Sequence, residues 1–207
     1  MTIIRNILAI IGLLAIIGAG FAYTKFNSMM AQMGGMDIAA EKTALDQLDP
    51  KAKDVYMTMW KKLKESGNSA DATVVKYPLA EGVSPEDAEE AMKFVANEHN
   101  IKAVGELPLS QQVQLETGKE QRFLKIYQFC NPQTAMKMVD FSDAFSAYLP
   151  CRIAMVQDKA GKYNLYSLDM DMMIYGGKTL PPELHAEAVK VQEIITDIMK
   201  RGAAGDF

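Results

Sequence analysis

Hydrophobic and polar positions fall into distinct regimes along the chain. Residues 7–23 form an uncharged, almost wholly apolar run bounded by Arg5 and Lys25. As a helix the run measures roughly 25 Å, close to a hydrocarbon core of ~30 Å, and Ile3, Ile4 and Phe26 extend it. The pattern predicts a transmembrane anchor over residues 1–26. A cleaved signal peptide is the rival reading, because Gly20-Phe21-Ala22 offers a small-x-small site. The length of the run and its terminal aromatics Phe21, Tyr23 and Phe26, which suit a membrane interface, favour retention. Residues 27–48 are mixed and rich in methionine, with Gly34-Gly35 as a hinge, and read as a linker.

From residue 49 the pattern alternates between helical and strand periods. Residues 49–71 predict an amphipathic helix and a connection. Asp49-Pro50 supplies an N-cap and first-turn proline, Val55, Tyr56, Met59, Trp60 and Leu63 recur at helical spacing, and Ser66-Gly67-Asn68 stops the helix. Residues 73–79 read as a strand. Ser84-Pro85-Glu86-Asp87 then opens a helix with a capping-box acid, and Ala88, Ala91, Met92 and Val95 mark its inner face. A strand over residues 101–107 leads into a polar stretch with room for a short helix. Residues 123–129 are apolar on both faces and read as an interior strand. Asn131-Pro132 opens a further helix carrying Ala135, Met138, Val139 and Phe145, which stops before Pro150. Residues 152–157 and 163–168 form a hairpin around Asp158-Lys159-Ala160-Gly161. Pro181-Pro182-Glu183 starts the last helix, with Leu184, Ala188, Val191, Ile195 and Ile198 inward and Gly202 at its end. The fold class is α+β: residues 72–207 form a mixed sheet of about five strands covered on one face by helices.

Composition narrows the function more than the fold. A chain of 207 residues holds one domain plus an appended segment, and 49% hydrophobic with 23% charged residues is ordinary for a packed protein. A net charge of −4 and the absence of a recognition motif argue against nucleic acid as a partner. Arg5 on one side of the apolar run and Lys25 and Lys42 on the other nearly balance, while the short N-terminal tail favours an inside N-terminus. The expected location is the inner (cytoplasmic) membrane, single-pass, with the C-terminal domain in the periplasm.

Three segments bear a family likeness. Phe129-Cys130-Asn131-Pro132 is followed by Ala135 and then by Leu149-Pro150-Cys151 leading a strand, and Ile101-Lys102-Ala103-Val104-Gly105-Glu106-Leu107 precedes them. In this order and spacing they resemble the domain-of-unknown-function 302 (DUF302) family of bacterial proteins over residues 72–175. The resemblance implies a compact α+β fold, often paired as a homodimer, and implies no activity. The anchor, the Met-rich linker and the C-terminal helix fall outside it.

The candidate chemistry is sulfur chemistry. Cys130 precedes the N-cap Asn131, where free N–H groups and the helix dipole could favour a thiolate; the preferred reading is a small buried cysteine at a tight corner that Asn131 and Pro132 cap, since no basic partner is near in sequence. His99 and His185 are the histidines available to activate it. If strand, helix and strand form a right-handed parallel unit, Cys130 and Cys151 flank opposite ends of the helix, roughly 20 Å apart. A disulfide needs about 7 Å, so both are expected free and separate. Met29, Met30, Met33 and Met36 put thioethers on one side of a helical turn, an arrangement that suits copper(I), with Met29, Met33 and Met36 as candidate ligands; packing at the membrane interface is the preferred explanation, because no histidine or cysteine joins them. Met170, Met172 and Met173 alternate with Asp169 and Asp171, a pair suited to acid–base or cation chemistry or to a solvated strand end. No phosphate loop, nucleophile elbow or zinc spacing occurs. The sequence therefore reads as a membrane-tethered, non-enzymatic module without a cofactor. It is expected to bind a small ligand or another membrane or periplasmic protein, with Cys130, Asn131, Pro132 and Cys151 as candidate ligand-binding residues. The alternative is a thiol- or copper-linked redox or sulfur-handling protein.

Overall fold

The computed structural model describes the backbone of residues 2–32 and 38–207 and the side chains of residues 12, 14–29 and 40–207. The chain divides into two units, Met1–Gln47 and Leu48–Phe207. The first holds α1 (Thr2–Gln32) and α2 (Ile38–Asp46). No proline interrupts α1, and its side chains Leu14, Ile16, Ile17, Phe21, Tyr23 and Phe26 stand exposed. Among the described residues no helix is long and apolar enough to cross a membrane. The side chains of residues 7–11 and 13, which belong to the apolar run, fall outside that description. Of the predicted copper ligands Met29 is exposed, while Met33 and Met36 lie outside the described residues, as do the side chain of Met30 and the Gly34-Gly35 hinge.

The second unit runs α3 (Ala52–Ser66), α4 (Ser69–Ala72), β1 (Val74–Pro78), α5 (Pro85–Glu98), β2 (Lys102–Leu107), α6 (Leu109–Thr117), β3 (Leu124–Cys130) and α7 (Pro132–Phe141). A 3-10 helix (Asp143–Tyr148) then leads to β4 (Cys151–Gln157), β5 (Tyr163–Leu168), α8 (Asp171–Tyr175) and α9 (Pro182–Ala204). The strands form a five-stranded sheet in the order β1-β5-β4-β3-β2, and every neighbouring pair is antiparallel. The expected mixed sheet is thus corrected. At about 15 Å, α7 is shorter than the roughly 23 Å of β3, and it packs against α9. The chain therefore never returns to the far end of β3, and β4 runs back along it from the end where it left.

α5 and α9 cover one face of the sheet. The capping box predicted at Ser84 forms with Asp87, and Ala88, Ala91, Met92 and Val95 are fully buried as their spacing required. Ala88, Met92 and Val95 meet Ile195, Ile198 and Met199 of α9 and Tyr127, Phe129, Ile153, Met155 and Leu165 of the sheet. A second apolar cluster joins Val55, Met138, Ile174, Tyr175, Leu180, Leu184 and Ala188 beneath α3 and α8. Gly202 does not end α9, as its composition suggested. It lies inside the helix, where a Cβ would collide with Met92, and Gly205 at φ +65° closes the helix instead.

α3 departs from its predicted face. Ala52 and Val55 are buried, but Tyr56 and Trp60 are exposed, because α3 packs mainly on the short α4 and the five-residue α8 and buries a narrow stripe. Asp49 does not cap α3 from the position its sequence suggested, since the helix begins at Ala52. Its buried carboxylate accepts hydrogen bonds from the Lys51 N–H and the Thr179 hydroxyl, each at 2.9 Å, and so ties the helix start to the segment before α9.

Candidate functional site

A cavity of about 640 Å3 opens where the sheet ends and α3, α8 and α9 meet. That volume lies in the range of small-molecule sites. Its wall is assembled from three parts of the chain. α3 and its N-cap Lys51 contribute Lys51, Val55, Thr58, Met59 and Lys62; the ends of β4 and β5 contribute Arg152, Ser167 and Leu168; α9 contributes Val189, Gln192 and Glu193. The segment Asp169 to Met173, which leaves β5 and enters α8, closes one side with its three methionines.

Several polar groups around this cavity are already paired. Lys62 donates to Asp169 at 3.1 Å, Gln192 donates to Asp171 at 2.6 Å, and the Asp171 N–H donates to Asp169 at 3.3 Å. The two aspartates predicted as an acid–base or cation pair therefore bind different partners and brace α3 and α9. The Lys51 ammonium sits over the Tyr175 ring, 4.4 Å from its centroid, a favourable contact with the ring's negative face. Arg152 is exposed and forms no ion pair or hydrogen bond through its guanidinium among the described residues. The charged lining is mixed, with Lys51, Lys62 and Arg152 against Asp54, Asp169, Asp171 and Glu193. Such a rim exerts no strong field of one sign.

Next to it lies a smaller cavity of about 30 Å3, lined by Cys130, Asn131, Thr134, Met138, Cys151 and Met173 among others. Here the corner predicted from the sequence forms as read. Asn131 accepts hydrogen bonds from the N–H groups of Gln133 at 3.1 Å and Thr134 at 3.3 Å, and Pro132 occupies the first turn of α7. The two cysteines are free, but the expected separation across a helix is wrong. In the antiparallel register Phe129 faces Cys151, so Cys130 is one position from the residue opposite Cys151. Burial pushes the Cys130 thiol up and, with the neighbouring Cys130, pushes Cys151 up to about 11. That direction opposes the thiolate a nucleophile needs. Neither histidine activates it: His99 contacts Asp197 at 2.7 Å and the His185 ring packs edge-on against Tyr175.

A third polar cluster escaped the sequence reading. Glu89 of α5 receives Lys93 and Lys125 and accepts the Tyr127 hydroxyl at 2.6 Å, and the same two lysines reach Glu106 of β2, each at 2.7 Å. Burial alone would push the Glu89 carboxyl up, but the three donors outweigh it and hold it at about 2. Burial, reinforced by the Glu89 carboxylate, drives the Tyr127 hydroxyl well above the usual phenol range. Two signals pointed to it: the helical i, i+4 pair Glu89 and Lys93, and the same-face pair Lys125 and Tyr127 in β3. The cluster clamps α5 to the sheet and lines neither cavity. Among the described residues no group of three or more His, Cys, Asp or Glu side chains is placed to hold a metal ion.

The family described as "Domain of unknown function DUF302" matches residues 75–202, more than half of the chain. The match takes in most of α9, beyond residues 72–175 that carry the likeness in the sequence. The crystal structure of an uncharacterized conserved protein DUF302 from Bacillus stearothermophilus is similar at 14% identity and a TM-score of 0.50, covering 62% of this chain and 97% of that one. At that identity the likeness speaks for the fold. No curated protein matches the chain.

Proposed function

The chain belongs to the DUF302 family, whose membership confers no known activity, and from that premise we propose that it is a non-enzymatic binding module, tethered to a membrane by α1, that holds a small amphipathic ligand in the cavity between α3, α8 and α9. The observation that carries this reading is the cavity itself. Its apolar wall of Met59, Leu168, Met170, Met172, Met173 and Val189 suits the body of such a ligand, and methionines adapt to irregular shapes. Its mixed rim favours a ligand of little net charge, whose polar end would meet the unpaired Arg152. What supports the tether is the uncharged run of residues 7–23 within one continuous helix; the described part of α1 falls short of a span by itself, and residues 3–11 complete it in sequence.

Fluorescence titration with the neutral probe N-phenylnaphthylamine tests the cavity. Saturable binding is expected for the full chain. Thr58 is exposed and lines the cavity, so Thr58→Trp fills it at little risk to the fold. That variant should bind roughly tenfold more weakly or worse, a loss of about 1.4 kcal/mol or more, with an unchanged melting temperature. A probe that fails to saturate, or that binds Thr58→Trp as well as the wild type, would remove the reading.

A further inference from the structure

α3 leaves one flank uncovered. It buries Ala52 and Val55 and lines the large cavity with Asp54 and Thr58 on one side. On the other flank Tyr56, Met57 and Trp60 stand exposed, and Trp60, the only tryptophan of the chain, keeps 53% of its surface open. At about 100° per residue these three share an arc of roughly 100° with the exposed Lys53 and Lys64, and the two acids of α3, Asp54 and Glu65, fall outside it. Among the described residues neither lysine has an acidic partner. The Tyr56 hydroxyl donates to the Gly176 carbonyl at 2.6 Å, which sets the exposed Lys178, two residues on, beside the same flank. A protein of net charge −4 thus carries a stripe of aromatic, thioether and cationic side chains on α3 that holds no acid.

We propose that this flank docks on an anionic bilayer surface, with Trp60 and Met57 at the boundary between headgroups and acyl chains and Lys53, Lys64 and Lys178 against lipid phosphates. Tryptophan and tyrosine suit that boundary because each pairs an apolar ring with a polar edge, and lysine lays its stem along apolar surface while its ammonium group reaches the phosphate. Helices that lie on a membrane carry this combination. The charge on the stripe has one sign, opposite to that of the whole chain and complementary to an anionic lipid surface. Position in the chain favours a bilayer over a protein partner. α3 begins 20 positions after Gln32, the end of the helix read as the tether, and even fully extended that connection reaches only about 70 Å. A tethered second unit therefore meets the bilayer at high effective concentration, and a weak contact suffices. That proximity rests on α1 as a tether; the charge and the aromatic stripe do not. The family match begins at residue 75, so α3 belongs to the stretch between the tether and the family domain.

As the only tryptophan, Trp60 reports its own surroundings. The full chain is reconstituted in vesicles of phosphatidylcholine alone or mixed with phosphatidylglycerol, each containing lipid brominated on the upper acyl chain, which quenches tryptophan on contact. With phosphatidylglycerol, Trp60 should be quenched and its emission shifted to shorter wavelength; both effects should fall away in pure phosphatidylcholine and in high salt. Lys53→Glu with Lys64→Glu, both at exposed positions, should lose the quenching with an unchanged melting temperature, whereas Glu65→Gln, outside the stripe, should behave as the wild type. The lipid and salt comparison on the wild type needs no variant. Trp60 unquenched with phosphatidylglycerol, quenching indifferent to lipid charge and salt, or quenching kept by the double-glutamate variant would each overturn the proposal; the first would leave the flank to a protein partner. An alkaline carbonate wash separates this surface from the tether. A chain that carbonate releases, but whose Trp60 is quenched by added phosphatidylglycerol vesicles, would remove the tether and keep the surface. A retained chain with unquenched Trp60 would keep the tether and remove the surface, and a chain both released and unquenched would remove both.

Discussion

At the corner between β3 and α7 a single side chain satisfies two backbone donors that α7 cannot satisfy itself. Replacing Asn131 by alanine strips both bonds, and the expected cost is ~1 kcal/mol. For a chain of this size that corresponds to a melting temperature lower by about 2–4 °C. Asn131→Asp, which keeps an acceptor at the same place and adds a charge that the helix dipole favours, should recover the loss. Differential scanning calorimetry decides it; an alanine variant that melts with the wild type would show that α7 is held by its packing on α9 alone. Single residues were legible wherever the signal was local, as at Asn131 and Ser84. They were not where the constraint came from a distant segment. Gly202 reads as a helix stop because glycine does so on average, but it is there because Met92 leaves no room for a Cβ.

Between elements, charge joins α5 to the edge of the sheet, and this sets how stability depends on pH. Glu89 has an ordinary carboxyl pKa of 4.5 when unfolded and about 2 when folded. Its folded value is depressed, so its contribution is fully present above about pH 5 and is lost as pH falls through the interval down to about 2. Glu89→Gln keeps the shape and removes the charge, leaving Lys93 and Lys125 with Glu106 alone. Denaturant unfolding followed across pH should show the variant clearly weaker than the wild type at pH 7 and the gap closing toward pH 2. A gap that stayed constant would place the effect in packing rather than in charge. The periodicities that built α5, β3, the β4–β5 hairpin and α9 were legible, since each is written within its own segment. Strand direction was not. It depends on whether α7 carries the chain back across the sheet, and with it went the placement of Cys130 beside Cys151. The large cavity was equally hidden: Lys51, Arg152 and Gln192 are far apart in sequence, and no spacing links them.

For the whole molecule, the consequential question is whether α1 holds the protein in a membrane. Residues 7–23 carry no charge, they lie in a helix that continues to Gln32, and the aromatic side chains of Phe21, Tyr23 and Phe26 follow at one end, beside Lys25. Apolar side chains such as Leu14, Ile16 and Ile17 are exposed, and in water such exposure is unfavourable by about 25 cal/mol per Å2, whereas in hydrocarbon it costs nothing. The expected outcome is that the protein stays with membranes through an alkaline carbonate wash, and that its intact mass after detergent extraction includes the apolar run. Leu14→Lys with Ile17→Lys places two charges near the middle of the run, at roughly 2.5–3.5 kcal/mol each on the insertion scale, and should shift the protein to the soluble fraction with its second unit still folded. A mature chain beginning near Tyr23 would show that the run is a cleaved signal. Release of the full-length wild type by carbonate would show that α1 does not span. Retention of the wild type together with release of the lysine variant would establish α1 as the membrane tether of the binding module.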